Sequence, residues 1–339
     1  NFKEVREEFQ RHFALLEAGV VTSVQQVATQ CGQRQQDLVG LHAIPELRFV
    51  PSKMTLENSI RRTKAHKAAG LDTIVNEVFK IDVDAIATFL HPLAFKIAAK
   101  IQEPVQLKGG TLFELWKGRG EHSRTSSFRG ILVSDALGKR IRSTFRDHLE
   151  PHMNSFFRST QMGGRKHFGC DMAAHMVREF NELSANMQVS SANIFVDLVA
   201  AFYRVLRPLC AHVADYQSDQ AVAALFRMHD LPQNSLHELA EQLHQDSTLK
   251  EAGVPVFLEE LIGELHSDTW FASPGLSTVV ATSRGTRPGD PFADILYNFV
   301  AAKVLRGVNA KLLEKGLTVT VAWDGCRSLY RHAHAEAQV

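Results

Sequence analysis

The sequence has 339 residues, of which 45% are hydrophobic and 22% are charged, as is typical of globular proteins. Its formal net charge of +1 excludes a uniformly basic nucleic-acid-binding protein. No uncharged apolar stretch approaches the roughly 18 residues that a membrane helix needs, so we expect no membrane partner. The four cysteines are widely spaced and form no CxxC pair, which argues against a zinc site or a disulfide framework and favours a reducing compartment.

Helices dominate the predicted elements of the first half of the chain. Apolar residues recur every three to four positions in each of them, as in amphipathic helices. These helices are predicted at 1–30, 52–70, 82–102, 135–157 and 170–187. Between the third and the fourth, residues 109–130 are rich in Gly and Ser and predict a hairpin or loop.

The second half mixes helices with short strands. Residues 192–199, "ANIFVDLV", are β-branched and apolar and predict a buried strand that carries Asp197. The remaining predictions are helix at 200–210, mainly helix over 210–268, a hairpin and turn at 269–291, a long helix at 292–316 and a strand at 317–323.

Charge is unevenly distributed along the chain. Residues 100–146 carry ten Lys and Arg against four Asp and Glu, whereas residues 237–268 carry one Lys against eight acids. A basic block beside Gly-rich turns suits phosphate groups, because backbone N–H groups and guanidinium groups can both reach them. The alternative interpretation is a solvated surface.

Five motifs occur in a recognisable order over roughly residues 60–305. They are "HKAAGLDTIVNEVFK", "LWKGRGE" with "FRGILVSDALGKRI", "QMGGRKHFGC", "IFVDLVAAFYRV" and "RGTRPGDPFADILYNFV". They resemble "KAPGPDGIPNE", "PIPKKGD … YRPISLLSVLGKI", "QFGFRKGRST", "FLDLSKAFDTV" and "GVRQGDPLSPLLFNLV" of the reverse transcriptase domain of non-LTR (LINE-type) retrotransposons. The order and spacing, more than any single motif, carry the resemblance.

The resemblance implies an α+β fold of the right-hand polymerase type. It is helix-rich, with fingers, a palm that contains a small antiparallel sheet, and no thumb within this sequence. The implied regions are an N-terminal helical region at 1–60, a fingers-like region at 61–185 and a palm-like region at 186–339. The sequence begins with Asn1 rather than Met, so we expect a piece of a larger polypeptide or complex. A retroelement product would be intracellular and nuclear.

The resemblance also implies RNA-directed DNA polymerase activity, a nucleotidyltransferase reaction that uses two Mg²⁺ ions. Asp197 matches the family's first metal-binding aspartate. Asp324, in "WDG", is the candidate for the family's "YADD" acids, of which only one is present. The alternative interpretations are that Asp197 caps the following helix and that "WDG" is an ordinary turn.

Other residues match positions that bind the nucleotide. Lys117 and Arg129 match cationic residues of the fingers that contact the triphosphate. Phe202 matches the residue that excludes a 2′-hydroxyl, Leu198 offers a backbone carbonyl, and Gly289 lets the backbone approach the base pair. The alternatives are surface charge for the two cations, core packing for Phe202 and a simple turn for Gly289.

Three further residues are implied contacts of the RNA template and the DNA primer: Gln161, Gly163 and Arg287. For Gln161 and Gly163 the alternative is a structural role. Near Arg287 the sequence departs from the family, because Pro288 replaces a Gln and fixes φ. Tyr203 replaces an Asp that is not a metal ligand, and no reason for Asp294 is evident from the sequence.

Two functions follow. The first is a reverse transcriptase domain that uses Mg²⁺ and dNTPs on an RNA template; lacking the second acid, these residues are not expected to polymerise DNA by themselves. The second is a domesticated, catalytically inactive protein that serves as a structural or nucleic-acid-binding subunit. An accidental resemblance in a helical interaction protein is the third interpretation.

Overall fold

A computed structural model of the chain describes residues 2–158, 160–165, 167–211 and 218–318 together with the backbone of two short strands near the end. Residues 1–300 and 301–339 form two compact units. Asp324 and the "WDG" motif lie outside the described residues, and so do residues 319, 322 and 323 of the predicted strand at 317–323. None of the described helices is long and apolar enough to cross a membrane.

Helices make up most of the described chain. They are α1 (Phe2–Leu16), α2 (Val24–Asp37), α3 (Lys53–Arg61), α4 (Val83–Lys100), α5 (Ala136–Arg146), α6 (Glu150–Phe156), α7 (Cys170–Asn186), α8 (Ala201–Arg204), α9 (Arg207–Cys210), α10 (Asp219–Met228), α11 (Leu236–His244), α12 (Thr248–Glu251), α13 (Val256–Leu265) and α14 (Ala293–Glu314). Side-chain oxygens that accept a backbone N–H begin five of them, because the first turn leaves those donors unpaired. These caps are Ser23, Ser52, Asp82, Ser218 and Ser247.

The strands are β1 (Val20–Thr22), β2 (Thr111–Trp116), β3 (Phe128–Val133), β4 (Thr269–Ala272), β5 (Val279–Thr282), β6 (Thr320–Val321) and β7 (Ala337–Gln338). The first five form one sheet in the order β1-β5-β4-β2-β3. β2 pairs with β3, and β4 with β5, as antiparallel hairpins, but β2 and β4 run parallel. The coarse α+β prediction is therefore confirmed, while the sheet is mixed rather than wholly antiparallel. In the second unit, β6 and β7 form an antiparallel pair.

One face of the five-stranded sheet is covered by α1 and α8. Phe13 and Tyr203 pack there on Leu132, Phe271 and Val280, and all five side chains are buried. Burying such side chains is the main source of stability of the fold. A separate apolar cluster joins α10 to α11.

Three predictions of regular structure are corrected. The helix predicted at 1–30 is interrupted, because Ala18 takes a positive φ of 45° and β1 then pairs with β5. The helix predicted to reach Gly70 ends at Arg61. The strand predicted at 192–199 is absent, since the sheet ends at β1 and β3 and neither pairs with this segment.

A buried ionic network holds α5 beside the turn that precedes α14. Arg142, 2% exposed, donates from Nε to Glu103 Oε1 at 2.9 Å and from Nη1 to Asp290. One turn later, Arg146 donates from Nη2 to Asp294 Oδ2 at 2.9 Å. Two arginines four residues apart thus pair with two aspartates four residues apart. The pairing supplies the reason for Asp294 that the sequence alone did not.

Candidate functional site

Three segments far apart in the chain meet beside β3. We call this place the three-segment junction and define it by residues 130–132, 202–205 and 285–289. The N–H of Leu132 donates to the carbonyl of Pro288 at 3.0 Å. The N–H of Thr286 donates to the carbonyl of Phe202 at 2.7 Å. Each segment belongs to a different one of the five motifs.

Two glycines make this close approach possible. Gly289 has φ +107°, and a Cβ there would lie 2.2 Å from the carbonyl oxygen of Leu132. Gly285 has φ +87°, and its Cβ would lie 3.0 Å from the carbonyl oxygen of Phe202. Glycine adopts such φ values without strain and has no side chain to clash. Gly289 is therefore required by the backbone geometry, whatever else it contacts.

Tyr203 anchors α8 to the sheet. Its hydroxyl donates to the carbonyl of Gly130 at 2.6 Å, and its ring lies 6.2 Å from that of Phe13. Burial, followed by the negative charge of Glu17, raises the pKa of the hydroxyl. The tyrosine that stands in place of the family's aspartate is thus a core residue with a satisfied hydroxyl.

Phe202 lies at the surface of the junction, 36% exposed, with its ring 4.9 Å from that of Tyr297. It borders a shallow cavity of about 280 Å³, which is also lined by Pro288, Gly289, Asp290, Ala293 and Asp294. The structure therefore brings together two of the predicted nucleotide-binding residues, Phe202 and Gly289, at an open surface.

The acids of this cavity are engaged in ion pairs. Burial disfavours the charged form of Asp290, but the charges of Arg142 and Arg287 outweigh burial and lower its pKa to about 2. Asp294 pairs with Arg146 through both oxygens. Because charge-assisted pairs of this kind fix their carboxylates, the two acids serve first to position the turn.

Asp197 and Leu198 lie in an exposed segment that is neither helix nor strand in the described structure. The neighbouring Phe195 is 87% exposed. The predicted buried carboxylate is therefore wrong. The alternative interpretation also fails, because α8 begins after Ala200, whose φ is +56°, without a side-chain cap.

The described residues do not fit the magnesium site that the resemblance implies. Among them, no group of three or more His, Cys, Asp or Glu side chains is placed to hold a metal ion. Mg²⁺ needs several hard oxygen ligands in fixed octahedral positions, and an exposed aspartate on an irregular segment supplies one.

Lys117 and Arg129 lie on the hairpin of β2 and β3. Lys117 donates from Nζ to the carbonyl of Ser126 at 2.6 Å, and Arg129 is exposed opposite Leu115. The outward-facing side chains of this hairpin form what we call the hairpin face: Phe113, Leu115, Lys117, Arg129 and Ile131. At the edge of the hairpin, Trp116 stacks on His122 with ring centroids 4.3 Å apart. Two cations thus border an exposed apolar surface.

Gln161 and Gly163 lie on the loop that follows α6. Gln161 is buried and donates from Nε2 to the carbonyl of Asn298 at 3.0 Å. A Cβ on Gly163 would lie 3.8 Å from Asn298 Oδ1, and Gly163 is itself exposed. Both residues therefore sit beside the first turns of α14.

Arg287 lies beneath the junction and is 2% exposed. Its Nη1 is 3.7 Å from Asp290 Oδ2, and within the described chain neither Nη1 nor Nη2 has a hydrogen-bond partner. Burial, followed by the charge of Arg142, lowers its pKa to about 10. The structure thus separates Arg287 from the open surface at which Phe202 lies.

The arginines of α5 are the residues that the sequence analysis missed. The signal was present, because Arg142 and Arg146 are four residues apart and so share one helix face, and Asp290 and Asp294 have the same spacing. Arg140, on the same helix, lines a second cavity that is described below.

Comparisons with known proteins do not identify a family. A scan of the chain against models of known protein families finds no match, and no curated protein matches it. The assignment to the reverse transcriptase family thus stays a prediction from the sequence motifs.

Proposed function

We propose that this chain is a reverse transcriptase-like domain of the non-LTR type that holds a nucleic-acid strand and a nucleotide beside the three-segment junction. The observation that carries the proposal is the junction itself. Three of the five motifs are far apart in the sequence, yet they contribute the hydrogen bonds that join β3, α8 and the turn before α14. An accidental resemblance in sequence gives no reason for these motifs to meet.

The surface of the junction suits a nucleotide. Phe202 presents its ring to the open cavity, and Gly289 brings the backbone to the same place. An aromatic ring beside a backbone of this kind can pack on a sugar or a base, and packing restricts the sugar shape that fits. We therefore assign Phe202 and Gly289 to nucleotide binding.

The hairpin face suits a nucleic-acid strand. Phe113 is 43% exposed and Leu115 is 55% exposed, and Lys117 and Arg129 lie on the same face. Proteins that bind single strands combine aromatic side chains, on which bases stack, with cations that contact the phosphates. The proposed partners are an RNA template, a DNA primer and dNTPs.

Catalysis by an RNA-directed DNA polymerase needs more than the described residues provide. The proposal assigns metal binding to Asp197 only together with acids outside the described part of the chain, Asp324 among them. If those acids join Asp197, the reaction is Mg²⁺-dependent transfer of a nucleotide to the primer 3′-oxygen.

A second candidate function is a nucleic-acid-binding subunit without polymerase activity. The exposed position of Asp197 favours it, because positioned two-metal chemistry requires rigidly held carboxylates. In this case the fold keeps the hairpin face and the junction, and the family's reaction is lost.

A primer-extension assay separates the two functions. The purified chain is incubated with an RNA template annealed to a labelled DNA primer, dNTPs and Mg²⁺, and compared with Asp197→Asn. The matched control is Asp219→Asn, an exposed aspartate at the start of α10. Templated extension that is lost only in Asp197→Asn supports the polymerase. Salt-dependent binding without extension supports nucleic-acid binding by these residues without polymerase activity of their own, and neither binding nor extension rejects both functions.

A further inference from the structure

A second cavity, of about 270 Å³, opens between α3, α5 and α6. We call it the α3–α5 cavity. Three arginines, Arg62, Arg140 and Arg146, line it together with the side chains of Ser59 and Ser143. Two acids, Asp147 and Glu150, also belong to its lining. It shares no lining residue with the cavity at the three-segment junction.

Two of the three arginines are paired with acids. Arg62 donates from Nη2 to Asp147 Oδ2 at 2.7 Å, and Arg146 pairs with Asp294. Their charges are therefore largely compensated within the protein. They can still direct their remaining N–H groups towards the cavity, because a guanidinium has five donors.

Arg140 differs from both. In the described part of the chain it makes no ion pair, and its hydrogen bonds are from Nη1 to the carbonyl of Ser59 at 3.1 Å and to Thr63 Oγ1 at 2.9 Å. Its Nε is buried and has no partner among the described residues. Burial and the positive charge of Arg62 both lower its pKa. A half-buried cation is costly unless an anion compensates it.

We propose that the α3–α5 cavity binds a phosphate group, with Arg140 as its principal contact. A phosphate group offers several acceptor oxygens, and a guanidinium binds two of them in a planar, bidentate arrangement. The hydroxyls of Ser59 and Ser143 donate to the carbonyls of Arg140 and Lys139, so the donors that remain for a phosphate are those of the guanidinium groups. This site is distinct from the nucleotide surface at the junction, and the proposal stands whether or not the chain polymerises DNA.

The phosphate group has two sources: the backbone of a nucleic acid, or free phosphate and its small esters. Inorganic phosphate and a short single-stranded RNA oligonucleotide without a terminal phosphate serve as the two probes. Calorimetry with inorganic phosphate and fluorescence anisotropy with the labelled oligonucleotide are run on the same protein preparations at matched ionic strength. Acetate replaces phosphate in a parallel titration.

The test variant is Arg140→Gln, and its matched control is Arg11→Gln, which removes the same charge from an exposed position on α1. We expect Arg140→Gln to weaken phosphate binding at least about tenfold, since hydrogen bonds to charged groups contribute that much. Arg11→Gln is expected to bind like the unaltered protein. Circular dichroism verifies that both variants fold.

A second variant makes the test independent of the folding of Arg140→Gln. Glu150→Gln removes a negative charge from the cavity and should tighten phosphate binding about two- to fivefold. If Arg140→Gln weakens the binding of both the oligonucleotide and inorganic phosphate, the site binds a nucleic-acid backbone. If it weakens the binding of inorganic phosphate alone, the site binds free phosphate. Phosphate binding that is absent, no stronger than acetate binding, or equal in Arg140→Gln and Arg11→Gln overturns the proposal. Failure of the reverse transcriptase proposal leaves these titrations unaffected.

Discussion

The N–H of Leu132 on β3 donates to the carbonyl of Pro288 at 3.0 Å, and this hydrogen bond joins two motifs that lie far apart in the sequence. Leu132 also leaves no room for a side chain at the next residue of the turn, because its carbonyl oxygen lies where a Cβ of Gly289 would be. The contact between β3 and this turn therefore fixes where the surface of Phe202 and Gly289 is formed.

Gly289→Ala should destabilise the fold strongly. An alanine at this position would be strained by the φ of 107°, and its Cβ would lie 2.2 Å from the carbonyl oxygen of Leu132. Strain and clash together should lower the free energy of unfolding by about 2–6 kcal/mol. Gly275→Ala is the matched control, because Gly275 has φ +79° and no atom within 4 Å of its Cβ position. In this control only the backbone strain should act, and it should lower the free energy of unfolding by about 1–3 kcal/mol. Chemical denaturation measures both, and equal losses would show that the turn does not press on β3.

Tyr203→Phe should cost about 1–2 kcal/mol, because it removes a buried hydrogen bond to Gly130 and leaves the ring in place. Tyr297→Phe is the control, since Tyr297 is only partly buried. We expect the control to change the free energy of unfolding by less than about 0.5 kcal/mol. A similar small effect of Tyr203→Phe would mean that the hydroxyl does not anchor α8.

Arg142→Met should be among the most damaging single changes. It leaves Glu103 buried without this cation and leaves Asp290 only the longer contact with Arg287, and breaking a buried pair typically costs about 3–5 kcal/mol. The control Arg124→Met breaks only an exposed pair with Glu121 and should cost about 0–1 kcal/mol. Thermal unfolding of both variants provides the comparison, and a loss below about 1 kcal/mol for Arg142→Met would contradict the network.

Buried histidines should make the protein less stable as the pH falls from 6 to about 5. Burial lowers the pKa of His266 to about 3, and burial followed by the charge of Arg284 lowers that of His229 to about 4. Between these values and 6.5 the unfolded chain binds more protons, so stability is lost on acidification. Burial raises the pKa of Glu17 to about 7, so over the same pH range the folded state binds more protons at this residue. Its effect on the pH dependence of stability is therefore opposite to that of the histidines. The sum of these shifts is an excess of about one proton in the unfolded state, or about 1.4 kcal/mol per pH unit.

His229→Leu removes one of these protons and should lower the slope between about pH 5 and 6 by about 1.4 kcal/mol per pH unit. His237→Leu, at an exposed position, should leave it intact. Urea unfolding at a series of pH values measures the slope for each protein. An unchanged slope in His229→Leu would show that this histidine titrates alike in both states.

Much of the regular structure follows from local sequence. The helices predicted at 82–102 and 170–187 are found at Val83–Lys100 and Cys170–Asn186, and both predicted hairpins are present. Apolar periodicity and Gly-rich turns act over a few residues, so a single sequence displays them. The strand predicted at 192–199 was wrong because strand formation also needs a partner strand, and that requirement is not local.

Fewer features of the candidate site could be predicted from the sequence. The motif resemblance pointed to Phe202 and Gly289, and the structure places them at one cavity. It did not point to Arg140, because a surface arginine and an arginine at a cavity look alike in a sequence. Pairing with acids distinguishes them, and pairing depends on contacts between residues far apart in the chain.

The most direct test of the account is the binding of an RNA–DNA primer–template over a range of salt concentrations, measured by fluorescence anisotropy. We compare the unaltered protein with Arg129→Gln and with the control Arg48→Gln. Arg48 is an exposed arginine that forms an ion pair with Glu46. We expect an affinity that falls steeply with salt, and a log–log slope that Arg129→Gln reduces by about 0.7–0.9 and that Arg48→Gln leaves unchanged. Binding that is absent, independent of salt, or equal in all three proteins would contradict the account.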